Sequence, residues 1–185
     1  MKSDEPLRYL RKSPTDACRA PNTLPPMHLT RFSDNALRCL MLLALEQERA
    51  VPVPEVAARM RISYEQLVKI VQKLVALGYV ETVRGRHGGV RLVVDPASLQ
   101  IGTLIRQVEE NFALVDCFDA TRSTCPIIPA CRLAGALDEA LAAFFKVLDK
   151  RTLDDVLKPR RELVRLMRPA APTGFKPAND ALATS

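Results

Sequence analysis

The chain has 185 residues, of which 48% are hydrophobic, and a formal net charge of +6. This size and composition fit one compact domain with tails. No apolar stretch approaches the roughly 18 residues that a membrane-spanning helix needs. The N-terminal segment also lacks the apolar centre of a secretory signal. We therefore predict a cytoplasmic protein that does not act at a membrane.

Charge is unevenly distributed along the chain. Residues 27–94 contain ten Lys or Arg against six acids, whereas residues 95–155 contain six against ten. This asymmetry favours a first half that faces a polyanion and a second half with a different task. Residues 1–26 are rich in proline without apolar periodicity, which predicts a disordered arm. Residues 158–185 are predicted to form a C-terminal tail that is disordered beyond residue 168.

Two short helices separated by a tight turn are predicted between Pro54 and Gly78. Pro54 suits the first turn of one helix, and Ser63 begins the next as a capping box with Gln66. A core helix capped by Ser33 precedes them, and it includes Cys39, which is predicted to be a buried small side chain. The pattern is that of a DNA-binding helix-turn-helix whose second helix reads the DNA.

A β-hairpin is predicted directly after the helix-turn-helix. The segments YVETV and VRLVV alternate apolar and polar residues and flank the glycine-rich tip RGRHGG. Arg84, Arg86 and His87 at this tip are suited to enter a minor groove, and the glycines allow positive dihedral angles and close approach to phosphate. We therefore predict a winged helix-turn-helix domain over residues 27–96.

The predicted DNA contacts are polar side chains near the helix starts and on the wing. Lys and Arg neutralise phosphates, and Tyr64 and Gln66 near the start of the recognition helix are placed to reach base edges. The full predicted set is Arg31, Ser33, Tyr64, Gln66, Lys69 and Arg86.

Residues 97–157 are predicted to hold a cysteine loop and a long helix. From about Pro129 to Asp149, apolar residues step by four and three, as in a coiled-coil seam. We predict that this stripe packs against its mate in a homodimer, with packing onto its own domain as the alternative. The predicted dimer contacts are Leu133, Leu137, Leu141, Phe144 and Leu148. The predicted fold class is thus mainly α with a small β-hairpin wing, a winged helix-turn-helix domain plus a long dimerisation helix.

Three of the five cysteines lie in one short stretch, as Cys117, Cys125 and Cys131. Thiolates bind iron–sulfur clusters and zinc, and spacings of seven and five residues suit a loop wrapped around one centre. Zinc is the second interpretation, because its usual sites have cysteine pairs closer in sequence. We do not predict an enzyme, because the sequence has no Cys-x-x-Cys pair and no phosphate-binding glycine loop.

Three segments resemble the NsrR/IscR (Rrf-type) family of winged-helix iron–sulfur transcriptional repressors. They are MHLTRFSDNALRCLMLLA, ISYEQLVKIVQKLVALGYVETVRGRHGGVRL and the cysteine stretch ending in CPIIPACRL. The resemblance covers about residues 27–157. It implies a homodimer in which each chain supplies three cysteines to one iron–sulfur cluster.

The resemblance also implies a fourth ligand. In the NsrR branch, an aspartate near the start of the partner's first helix completes the coordination, and Asp34 stands at that place. The IscR branch instead has a histidine three residues after the last cysteine, where this chain has Ala134. The alternative role for Asp34 is to stabilise the positive end of the helix dipole.

The implied function is a repressor that binds a double-stranded DNA operator and releases it when nitric oxide attacks the cluster. A 4Fe-4S cluster is favoured over a 2Fe-2S cluster, although the gap between the first two cysteines is longer than is usual in the family. The alternatives are an iron- or redox-responsive regulator that uses the same cysteines, and a zinc-stabilised regulator.

Overall fold

The computed structural model describes residues 28–86, 88–118 and 123–168. The predicted arm over residues 1–26, His87 and the predicted tail beyond residue 168 lie outside these ranges. Within the ranges, no helix is both long enough and apolar enough to cross a membrane.

The described elements are mostly helical, with one antiparallel hairpin, and they confirm the predicted fold class. In chain order they are α1 (Arg31–Leu45), α2 (Val53–Met60), α3 (Tyr64–Ala76), β1 (Val80–Val83), β2 (Gly89–Leu92), α4 (Ile101–Val108), α5 (Arg132–Leu148), α6 (Leu153–Val156) and α7 (Arg160–Leu166). Short 3-10 turns at Asp116–Phe118 and Ile128–Ala130 lie between α4 and α5.

Helix α1 begins three residues earlier than predicted. Its cap is Thr30, whose hydroxyl accepts a hydrogen bond from the Ser33 amide at 3.3 Å. Ser33 lies inside the first turn and is fully buried, so its predicted role as the cap is wrong. The error arises because Ser and Thr cap helices almost equally well, and here contacts elsewhere in the chain favour Thr30.

Helices α2 and α3 form the predicted helix-turn-helix. Pro54 lies in the first turn of α2, where its missing amide proton costs nothing. Arg61 makes the turn with a φ of 54°, and Ser63 Oγ then accepts a hydrogen bond from the Gln66 amide at 3.4 Å. The serine half of the predicted capping box is therefore formed. Helix α3 packs inward through Leu67, Ile70, Val71 and Leu74.

The hairpin is in register from Val80 opposite Leu92 to Val83 opposite Gly89. Val51 extends it by exchanging backbone hydrogen bonds with Val90 at 2.8 and 2.9 Å. A Cβ atom on Gly89 would lie 2.3 Å from the Val51 carbonyl oxygen. The Val51 backbone therefore requires glycine at this position, while the predicted approach of the glycines to phosphate stays a prediction.

One cluster of buried side chains runs through both halves of the chain. Helix α1 contributes Leu40 and Leu43, α4 contributes Leu104, and the C-terminal part contributes Leu153. Burial of each such leucine stabilises the fold by about 2 kcal/mol. The wing, the helix-turn-helix and the segment after α5 thus share a single core.

The chain after α5 is fixed to the start of α4. The amide of Ile101 donates to the Arg151 carbonyl and the amide of Leu153 to the Leu99 carbonyl, both at 2.8 Å. Thr152 caps the next short helix, and it forms a full capping box with Asp155. Hydrogen bonds from Lys158 and Thr152 lower the pKa of Asp155 to about 2.

Two predicted boundaries in the C-terminal half are wrong. Pro129 lies in a 3-10 turn, so the long helix begins only at Arg132, with Cys131 as its cap. The predicted tail from residue 158 contains helix α7, whose Leu163 packs against the core. This helix has two apolar positions on one side of a strongly basic segment, a pattern too short to stand out in the sequence.

The close approach of Val51 predicts a clear difference between two glycine substitutions. Gly89→Ala forces the backbone to move, and we expect it to lower the free energy of unfolding by about 2 kcal/mol or more. Gly135→Ala is the matched control, because nothing lies within 4 Å of its added Cβ and alanine favours a helix by about 0.5–1 kcal/mol. Urea denaturation followed by circular dichroism measures both, and equal midpoints for the two variants would contradict the expectation.

Candidate metal centre and nucleic-acid interface

The outer face of α3 carries the side chains predicted to contact DNA. Tyr64 is 56% exposed at the start of the helix. Gln66 and Lys69 are also exposed, while the opposite face of the helix lies in the core. Because the start of a recognition helix is the part that enters the major groove, these side chains are free to meet base edges and phosphates.

The wing and the start of α1 add further basic side chains. Arg84 and Arg86 are exposed at the tip, and Gly85 between them has a φ of 108° that favours glycine. Arg31 is exposed as the first residue of α1. Ser33 is the exception in the predicted set, because a side chain with no exposed surface cannot contact DNA. The prediction of a DNA contact at Ser33 is therefore wrong.

The three clustered cysteines lie on both sides of a segment, residues 119–122, that is outside the described ranges. Cys117 is in a 3-10 turn, Cys125 is in irregular chain, and Cys131 caps α5. All three are half-buried free thiols. Cys39 differs from them, because it is completely buried in α1 and burial raises the pKa of its thiol to about 12. The prediction of a buried Cys39 is confirmed.

The thiols fit a metal cluster by their chemistry and accessibility. Soft thiolates suit iron–sulfur clusters, and none of the three is sealed in the core. Among the described residues, no three His, Cys, Asp or Glu side chains lie close enough together to hold a metal ion. The ligand set therefore stays a prediction.

Asp34 lies in the first turn of α1, and its side chain is 61% exposed. Its carboxylate is 3.6 Å from the Arg38 guanidinium, one helical turn later. Arg38 also donates hydrogen bonds to Asn35 Oδ1 and to the carbonyl oxygen of Met60, the last residue of α2. One arginine thus connects the predicted fourth ligand to the end of the first helix of the helix-turn-helix.

The start of α1 is also bonded to the chain that leads into the cysteine loop. The amide and the hydroxyl of Thr30 donate to Glu109 Oε2 at 3.0 and 3.1 Å. Glu109 directly follows α4. Neither Arg38 nor Glu109 was among the residues predicted from the sequence. The i,i+4 spacing of Asp34 and Arg38 on one helix face is the signal that could have identified the first of them.

The apolar stripe on α5 divides into two faces. Leu133, Phe144 and Val147 are exposed, at 65%, 38% and 59%. Leu141 and Leu148, which were predicted as dimer contacts, pack against the chain's own core instead. The alternative of packing onto the same domain thus applies to this part of the stripe. Leu137 is half-buried, and the exposed face remains available to a second chain.

Phe145 is the residue that anchors α5 on its own domain, and it was not among the residues predicted from the sequence. Its ring is 7% exposed and meets Phe112 edge to face, with the ring centroids 4.8 Å apart. The Arg106 guanidinium lies 4.0 Å from the centre of the Phe145 ring and forms a bidentate ion pair with Asp149 at 2.7 and 2.8 Å. This hydrogen-bonded pairing lowers the pKa of Asp149. The spacing of Leu141, Phe145 and Leu148 is the signal for this inner face.

Known proteins resemble this chain over most of its length. The HTH-type transcriptional regulator NsrR of Geobacillus kaustophilus (strain HTA426) is 47% identical over 143 residues, which cover 77% of this chain and 97% of that protein. The NsrR of Bacillus subtilis (strain 168) is 42% identical over 143 residues, covering 77% and 98%. The solved structure of T. potens IscR matches with a TM-score of 0.58 and 25% identity, covering 74% of this chain and 90% of that chain.

A family profile gives the most general of these matches. The Rrf2 profile, described as iron-dependent transcriptional regulator, matches residues 29–159. This match and the named relatives confirm the resemblance predicted from the sequence, and they identify a transcriptional regulator, not an enzyme. The chain belongs to the Rrf2 family of iron-dependent transcriptional regulators.

Proposed function

We propose that the chain is a dimeric DNA-binding repressor whose iron–sulfur cluster senses nitric oxide. The observation that carries the proposal is the position of three accessible thiols beside the long helix of a winged-helix chain, 47% identical to a regulator named NsrR. The thiols have no structural task in the core, in contrast to Cys39. The winged helix supplies the DNA-binding part and the cysteine loop the sensing part.

DNA binding is assigned to α3, the wing and the start of α1. Lys69, Arg86 and Arg31 neutralise phosphates, while Tyr64 and Gln66 contact base edges in the major groove. A homodimer places two recognition helices in successive major grooves of a palindromic operator. The exposed apolar face of α5, formed by Leu133, Phe144 and Val147, is the surface that the two chains bury against each other.

Cluster binding is assigned to Cys117, Cys125 and Cys131, with Asp34 of the second chain as the fourth ligand. When bound, a cluster would supply iron that can react with nitric oxide, and these four side chains would hold it. A 4Fe-4S cluster is favoured, and four protein ligands match the usual coordination of such a cluster. Cys131 directly precedes α5, and its side chain makes no capping hydrogen bond to the helix, so the thiol is not used by the helix start.

Asp34 is the residue that would connect the proposed cluster to the helix-turn-helix. Its carboxylate is 3.6 Å from the Arg38 guanidinium, which also donates a hydrogen bond to the Met60 carbonyl at the end of α2. Iron bound to a carboxylate oxygen of Asp34 would compete with Arg38 for the negative charge of this group. Ligation would therefore act on an arginine that also binds the end of α2, one residue before the turn at Arg61.

An iron- or redox-responsive regulator with the same cysteines is the alternative, and the family description as iron-dependent favours it. Anaerobic titration of the isolated protein with nitric oxide and, separately, with oxygen separates the two, with absorbance and operator binding read together. A protein isolated with zinc and without iron would instead support a zinc-stabilised regulator.

The burial of the thiols predicts selective alkylation in the metal-free protein. We expect iodoacetamide to modify Cys117, Cys125 and Cys131 under native conditions and Cys39 only after unfolding, because Cys39 is fully buried with a pKa of about 12. Mass spectrometry of a Cys18→Ser variant measures this, since Cys18 lies outside the described residues. Rapid alkylation of Cys39 under native conditions would contradict the complete burial of its side chain.

The ligand assignment predicts which substitutions remove iron. Each serine substitution at Cys117, Cys125 or Cys131 is expected to abolish cluster binding in anaerobically isolated protein, measured by iron analysis and Mössbauer spectroscopy. Cys39→Ala is the matched control and should keep a full iron content. Asp34→Asn is expected to keep iron bound by three thiolates but to change the Mössbauer spectrum. An unchanged spectrum would remove Asp34 from the ligand set.

The DNA contacts predict a change in salt dependence. Lys69→Ala and Arg86→Ala should each weaken binding to operator DNA and reduce the slope of log K against log salt by about 1.8, because each substitution removes one phosphate contact from each chain of the dimer. Tyr64→Ala should weaken operator binding and leave this slope unchanged, because its side chain carries no charge. Lys150→Ala, an exposed cation at the far end of α5, is the control. Equal slopes for all four variants would contradict the assigned interface.

A further inference from the structure

Arg59 is a nearly buried arginine at the junction of three elements. It lies on α2, and its side chain is only 4% exposed. Its guanidinium is 2.7 Å from Glu46 at the end of α1 and 3.0 Å from Glu55 one turn earlier on α2. Its Nε donates to the carbonyl oxygen of Met167 at 2.6 Å. One side chain therefore joins the helix-turn-helix to the residue that follows α7.

Helix α7 has a second attachment to the same region. The Arg160 guanidinium at its start donates to the carbonyl oxygen of Leu45, the last residue of α1, at 3.2 Å. Between these two attachments, Leu163, Val164 and Met167 pack against the core. Each end of the helix is thus bonded to the DNA-binding half, and its apolar side is partly buried there.

The same stretch of chain continues directly from the long helix. Leu148 ends α5, and the backbone of residues 151–154 is hydrogen-bonded to the start of α4 at Ile101 and to the preceding residues Leu99 and Pro96. Helix α7 follows within a few residues. The C-terminal segment therefore runs from the end of α5 to the ends of α1 and α2 with attachments along its length.

We infer that α7 is a clasp that fixes the ends of α1 and α2 to the chain that follows the long helix, and that Arg59 is the positioning residue that closes it. The physical reason is the cost of a buried guanidinium that loses a partner, which favours the docked state of α7. This inference rests on the proposed function, because it gives the clasp a role in setting affinity for operator DNA.

The clasp acts on DNA binding through α2. Arg59 and Met60 end that helix, and Arg61 turns the chain into α3. When α7 is docked, the position of α2 is fixed by α1, by Glu46 and by the Met167 carbonyl together. When α7 is removed, Arg59 keeps only its acidic partners, and α2 and α3 gain freedom relative to the dimer. Two recognition helices then fit their half-sites less well, without the loss of any phosphate contact.

The test uses two truncations and one substitution in the full chain. Ending the chain after Leu157 removes α7, and ending it after Arg168 removes only the residues beyond the clasp. Arg59→Gln is made in the full-length chain and in the chain that ends after Leu157. DNA affinity is measured on the duplex that the full-length protein enriches from a random library, well below each variant's melting temperature. Hydrogen exchange of residues 53–76 is measured without DNA.

We expect loss of α7 to weaken operator binding about tenfold or more and to speed exchange in residues 53–76, as one to two lost charged hydrogen bonds allow. Arg59→Gln in the full-length chain should weaken operator binding about as much as loss of α7 does. In the chain that ends after Leu157 the same substitution should have little further effect, because the effects of residues that act as a unit are not additive. The slope of log K against log salt should stay unchanged for these variants. An unchanged slope distinguishes a residue that positions the recognition helix from one that contacts a phosphate. Truncation after Arg168 should leave affinity and exchange unchanged.

Several results would overturn the clasp. They are equal affinity and exchange with and without α7, fully additive effects of Arg59→Gln and the truncation, or an equal loss on ending the chain after Arg168. If the chain that ends after Leu157 does not fold, Arg160→Gln in the full-length chain replaces it, because this substitution removes only one of the two attachments of α7. Unchanged hydrogen exchange of residues 53–76 in Arg160→Gln would also contradict the clasp. Failure of the full-length protein to bind any duplex would instead defeat the proposed function, and the exchange data would still decide the clasp.

Discussion

Burial of one face of α1 is the interaction on which the rest of the structure depends. Leu40, Leu42 and Leu43 are at most 1% exposed, and α2, α3, α4 and β2 all contact this helix. Truncation of one such leucine costs about 2–5 kcal/mol, a large part of the total stability of about 5–15 kcal/mol that a domain has. Because the helix cannot shift without this loss, Asp34 and Arg38 on its other side are held in fixed positions relative to the helix-turn-helix.

Much of the fold could be predicted because its signals are local. The turn at Arg61, the cap at Ser63 and the capping box at Thr152 each depend on residues within three or four positions. The start of α1 could not be predicted in the same way, because Glu109 binds Thr30 from 79 residues away. Helix α7 was missed for a related reason, since the carbonyl contacts of Arg59 and Arg160 that fix it are distant in sequence.

The candidate site was predictable in its chemistry but not in its geometry. Soft-ligand chemistry identifies Cys117, Cys125 and Cys131 from their type and spacing. Their convergence is a different matter, because the chain alone brings no three ligand side chains together within the described residues. The dimer stripe shows a similar limit. A helix with apolar residues on two sides gives overlapping patterns, and only the ring contacts of Phe145 show which side packs inward.

The end of α2 is where two separate influences on the recognition helix meet. The Met60 carbonyl accepts from Arg38, which pairs with Asp34, while the neighbouring Arg59 binds the carbonyl at the end of α7. The first connection leads to the proposed ligand, and the second leads along the chain to the long helix. Both reach α3 through the single turn at Arg61. Because the two contacts are made by consecutive residues at one helix end, substitutions at Arg38 and at Arg59 are expected to have coupled, non-additive effects on the stability of the helix-turn-helix.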